Sequence, residues 1–196
     1  MSTEAIFKPP SAVLPRRATE TDGAAVDIFD LATDEETLKE LLRDLFENHW
    51  HEIIFGPIIQ GAAYELRPPA PPTHFGMFDG YLTIAFGVSH FHLCIGAHRH
   101  APAELARRRR TSRAELYRRL DRTSAPVSWG LRLFNGEGEQ QITVLLPNPF
   151  LDPETDKPRK TPDWARLALW DGLRARWLGL PEPDPVDRSG KSFRHD

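Results

Sequence analysis

"THFGMFDGYLTIAF", residues 73–86, is the stretch whose reading decides the fold. Asp79-Gly80 separates two runs rich in aromatic and β-branched residues. That dipeptide suits a two-residue turn in which both central positions take positive φ. The turn predicts a β-hairpin with Phe78 paired to Tyr81 and His74 opposite Ala85. A second hairpin is written further on, where "SWGLRLFN" (128–135) and "EQQITVLLP" (139–147) flank Gly136-Glu137-Gly138.

Helical patterns lie between the hairpins. In "DEETLKELLRDLFENHW" (34–50), Leu38, Leu41, Leu42 and Leu45 fall on one face, acids fill the first turn, and Thr33 or Asp34 can cap. "APAELARRRRTSRAELYRRLDR" (101–122) reads as a helix, with Pro102 in its first turn and Ser112/Glu115 matching a capping box. "TPDWARLALWDGLRARWLGL" (161–180) closes the pattern as a third, and Trp129, Trp164, Trp170 and Trp177 are expected to fill the space between it and the sheet. Strands in hairpins with helices between them predict a single α+β domain, an antiparallel sheet with helices packed on one face. Residues 27–180 form that domain. The Pro- and charge-rich segments 1–26 and 181–196 read as a flexible arm and a flexible tail.

At 196 residues, one core is well supplied and two are not. A net charge of −3 argues against nucleic acid and anionic membrane as partners. No apolar run approaches the roughly 18–20 residues that span a bilayer. No secretory leader is visible, and the single cysteine rules out an internal disulfide, so a reducing, cytoplasmic setting fits.

The chemistry concentrates in "SHFHLCIGAHRH" (89–100), which holds four of the eight histidines and Cys94. On a strand, His90, His92 and Cys94 point one way and Phe91, Leu93 and Ile95 the other. Imidazole and thiolate together suit Zn, Cu and Fe, not Mg or Ca. His90 and Cys94 stand roughly 13 Å apart on a straight strand and cannot share an ion. The pair is therefore His90 with His92 or His92 with Cys94, with His98 returned to it by a turn at Gly96. His74 is a further ligand if a one-residue bulge at Gly87 brings it to the His90 face; a tight turn at "FGVS" removes that argument. His49 and His51 diverge on a helix and are weaker candidates. The expectation is a transition metal, Fe or Cu ahead of Zn, in an open site held by His92 with His90 or Cys94, by His98 after the Gly96 turn and, given the bulge, by His74. His90 and His92 would move protons for a small substrate or O₂.

"HFHLCI" is similar to the strand of the histidine-triad hydrolases, which implies His92 as nucleophile and His90 beside it in metal-free phosphoester cleavage. The H-x-H pair also resembles that of the cupins, which implies a metal inside a β-barrel. "HFHLCIG" further resembles a segment of an uncharacterised bacterial protein family, which implies no activity. The arginine set between Arg107 and Arg122 reads as a solvated, ion-paired helix face. With the termini it offers a surface for a protein partner or a second copy, in keeping with a non-catalytic metal-handling or accessory role.

Overall fold

A computed structural model describes residues 14–59 and 61–192. It is an α+β domain, as expected, in which antiparallel sheet dominates. Eleven strands run in chain order: β1 (Arg16–Thr19), β2 (Ala25–Leu31), β3 (Ile54–Gly56), β4 (Ile58–Ile59), β5 (Ala62–Ala63), β6 (His74–Phe78), β7 (Tyr81–Phe86), β8 (Ser89–Cys94), β9 (Thr111–Leu120), β10 (Pro126–Asn135) and β11 (Gln140–Leu145). They form a six-stranded sheet in the order β1-β2-β9-β10-β11-β3, a three-stranded sheet β6-β7-β8, and the short pair β4-β5. The helices are α1 (Glu35–Arg43), extended by a π-helical turn over Asp44–Asn48, then α2 (Ala103–Arg109) and α3 (Ala168–Leu178).

The first helix forms as its pattern dictates. Asp34 caps it by accepting the Thr37 amide at 3.0 Å, and the leucine stripe 38/41/42/45 is fully buried. That stripe, Trp170 and Leu173 of α3, and the inner faces of both larger sheets share one core. Trp129 and Trp170 are fully buried there, with Trp164 and Trp177 packed at its margin. Gly179, with φ of 67°, ends α3 in the left-handed conformation that a side chain resists.

The helix expected over 101–122 is corrected. Helix α2 stops at Arg109, and residues 111–120 become β9, paired to β2 on one side and β10 on the other. Ala114, Leu116 and Leu120 alternate into the core. Arg118 occupies the remaining inward position, and that buried charge hid the period of two. The arginines consequently split between two sheet faces and a short helix, and residues 101–122 form no long basic helix.

The terminal boundaries move as well. Of the expected arm, residues 1–13 lie outside the described residues, whereas Arg16–Thr19 pair with β2. Of the expected tail, residues 193–196 lie outside them, whereas Pro185–Arg188 form a 3-10 turn with Asp187 wholly buried. Polar composition suggested a free tail; one carboxylate with partners inside the protein overrides it.

Candidate functional site

The β6–β7–β8 sheet places the histidines by register. Phe78 pairs with Tyr81 and His74 with Ala85 across the Asp79-Gly80 turn. The next connection is the two-residue turn Gly87-Val88, with Phe86 paired to Ser89, so no bulge occurs. That turn pairs Ala85 with His90 and Thr83 with His92. Residues directly paired across strands point to the same side. His74, Ala85 and His90 thus form one row, Gly76, Thr83 and His92 the next, and Phe78, Tyr81 and Cys94 the third. His74 reaches the His90 face by tight pairing, not by the bulge expected from sequence. The opposite face carries Phe75, Met77, Leu82, Ile84, Phe91 and Leu93 and packs on the core.

The first two rows are open to solvent. His74, His90 and His92 are exposed, and the small residues Gly76 and Ala85 leave space among them. His90 and His92 lie with ring centroids 5.0 Å apart. His92 Nδ1 is 2.8 Å from Thr83 Oγ1, which fixes that ring and leaves Nε2 free. The His74 ring lies over Gly76, so close that a β-carbon there would fall 2.8 Å from its Nε2.

In the third row Phe78 is exposed, but Cys94 is covered. The loop after β8 crosses the hairpin tip, where a β-carbon on Gly80 would meet the Ala97 carbonyl carbon at 2.6 Å. Asp79 holds this loop through the Arg99 amide at 2.8 Å, His100 Nδ1 at 2.9 Å and His98 Nε2 at 3.3 Å. Burial opposes charge on Asp79, yet the His100 and Arg99 hydrogen bonds and the nearby His98 together hold its pKa below the usual carboxylate value. His98 stacks edge-on against Tyr81 at 5.1 Å, and its Nδ1 is buried without a hydrogen-bond partner among the described residues.

Cys94 lies beneath this cover, 3% exposed, its Sγ 4.0 Å from the Gly96 carbonyl. Burial raises its pKa, against the Tyr81 hydrogen bond and the Arg109 and Arg110 charges, so it is a thiol at neutral pH. Cys94 and His98 are therefore separated from the exposed imidazoles. His49 and His51 are elsewhere, both against Glu52 Oε1, at 2.9 and 3.8 Å. Among the described residues no three His, Cys, Asp or Glu side chains are gathered closely enough to hold one ion.

Sequence reasoning missed Thr83, Gly76 and the loop-holding role of Asp79. The signal for Thr83 was present: reading Gly87-Val88 as a two-residue turn sets Thr83 opposite His92.

Residues 15–179 match the model of a family of unknown function, DUF7676. The chain belongs to that family. All residues of the imidazole face lie inside the stretch shared with DUF7676, and so does the loop over Cys94. No curated protein matches the chain. No solved structure matches it either.

Proposed function

We propose that the open face of β6–β8 is a transition-metal binding surface, with His90 and His92 as the primary ligands and His74 as a third that swings in from above Gly76. The observation that carries this reading is the alignment of three exposed imidazoles around small residues, one of them oriented by Thr83. A hydroxyl on Nδ1 orients the ring with Nε2 turned outward, as partners of metal-bound histidines commonly do. With the thiol covered by the 97–100 loop, the donors are all nitrogen, a set that suits Cu, Zn, Ni and Fe. Exposed side chains have the rotamer freedom to close on an ion that their resting positions do not yet enclose.

The three imidazoles are exposed on the sheet, and an open depression of about 470 Å³ lies elsewhere, lined by residues of the 152–161 loop, none of them histidine. Exposed ligands hold an ion but do not exclude water around a substrate. That favours a metal-handling role over catalysis on a small molecule.

Titration of untagged, chelator-stripped protein with Cu(II) and Zn(II) tests the reading. Wild type should take up one ion per chain, and His92→Ala should weaken binding at least tenfold. Equal uptake by wild type and the His90/His92 double alanine variant would refute it. Phosphoester cleavage that persists in chelator and disappears in His92→Ala would favour the histidine-triad chemistry instead.

A further inference from the structure

On the far side of the core, four donors from three elements of the domain meet one carboxylate. Asp187 accepts Trp129 Nε1 of β10 at 2.9 Å on Oδ1 and Trp170 Nε1 of α3 at 2.8 Å on Oδ2. Arg118 Nη1 of β9 donates to the same Oδ1 at 3.0 Å, and Arg174 Nη1 of α3 lies 4.0 Å from Oδ2. Arg118 Nη1 also reaches Asp184 Oδ2 at 2.7 Å. Every donor here is buried.

Two features separate this from an ordinary tail anchor. The first is where its parts come from. Trp129, Trp170, Arg118 and Arg174 lie within the stretch that matches the family, residues 15–179, while Asp184 and Asp187 lie beyond it. The second is charge. With the tail docked, Arg17, Arg118, Arg174 and Arg188 face Asp27, Asp171, Asp184 and Asp187. The tail supplies two of those aspartates and one arginine. Without it, three arginines would meet two aspartates, and two indole N–H groups would lose their carboxylate partner. An undocked cradle therefore presents excess positive charge and convergent N–H donors, a set that suits an anion.

We propose that the Trp129–Trp170–Arg118–Arg174 cradle is a binding site for a small dicarboxylate, and that the C-terminal segment occupies it in cis through Asp184 and Asp187. A ligand with two carboxylates spans both positions, one between the indoles and one at the outer side of Arg118 Nη1. The segment that must leave is short, a four-residue 3-10 turn with Val186 exposed on its outside. It is held otherwise by the Arg188–Asp171 pair, by Glu182 O on Arg174, and by Gly190 seated against Phe150. Local release of such a segment leaves the rest of the domain folded.

The test uses the full chain and limited trypsin digestion, scored by cleavage after Arg188, which the docked tail ties to Asp171; cleavage after the exposed Lys191 is not counted. Malonate and succinate are titrated against chloride of matched ionic strength, and a free peptide substrate monitors trypsin itself. Wild type should lose its tail several-fold faster as dicarboxylate rises, saturably. Asp187→Asn, which weakens the cis occupant, should need roughly tenfold less dicarboxylate for half of that effect. Tail cleavage in wild type that is indifferent to dicarboxylate up to tens of millimolar overturns the proposal, whether or not the variant folds. Equal sensitivity to acetate would likewise remove the dicarboxylate assignment.

Discussion

The imidazole face and the aspartate cradle are two polar concentrations of this domain, and they are built on opposite terms. On β6–β8, three histidines stand in water with one hydroxyl partner between them, at almost no cost to folding. Around Asp187, the carboxylate, both indoles, Arg118 and Arg174 are buried, and most of their polar atoms are answered by another. A group that stays solvated keeps its chemistry available for an outside partner; a buried group must be answered by a partner, here the protein's own tail. Only the second kind contributes to holding the fold.

The widest contrast is in stability. Asp187→Ala strands two indoles and part of Arg118, and should cost about 3–5 kcal/mol in denaturant unfolding. His92→Ala should fall within about 0.5 kcal/mol of wild type. Similar losses for both variants would break the comparison.

Gly80→Ala should cost about 1–3 kcal/mol. Gly80 has φ of 81° and its missing β-carbon position is 2.6 Å from the Ala97 carbonyl carbon. The same change should speed labelling of Cys94 by a thiol reagent, because the covering loop is displaced.

Acid should weaken the cradle. Burial works against charge on Asp27 and Asp184, but hydrogen bonds from Arg17 and Arg118 to Asp27, and from the Val186 amide and Arg118 to Asp184, lower both pKa values on balance. A carboxylate depressed in the folded state contributes stability above its unfolded pKa, about 3.9, and loses that contribution as pH falls through the folded value. Melting temperature should therefore drop on going below about pH 4, and Asp27→Asn should flatten that decline. An unchanged acid limb in the variant would remove Asp27 from the account.

The smallest effects sharpen the other side. Thr83→Val should leave stability nearly untouched and weaken metal uptake about tenfold, the order found for partners of metal-bound histidines. Gly76→Ala should shift uptake by pushing the His74 ring aside, without removing a ligand. Uptake identical to wild type in both variants would leave His74 and Thr83 without a role.

The hairpins were legible because their turns state both register and direction: Asp79-Gly80 alone fixes His74 opposite Ala85. The His74–His90 alignment was half legible, since Gly87-Val88 supports either a bulge or a turn until the pairing of Phe86 with Ser89 decides. Strand β9 was not legible. Its inward position 118 is an arginine, and its partners Asp27, Asp184 and Asp187 lie between 66 and 91 residues away. Local pattern cannot register a charge neutralised at that separation. The same distance concealed the tail, whose Pro- and Asp-rich composition resembles disorder until two tryptophans from other elements are seen to meet it. Cys94 was placed on the correct face, but the loop that covers it depends on Asp79 holding three groups of a distant turn.

That loop gives the chain a built-in reporter. Cys94 is the only sulfhydryl in the sequence, and it lies under residues 97–100. Oxidants and alkylating agents therefore read out how often those residues lift, and copies of the folded protein cannot become cross-linked through it until they do.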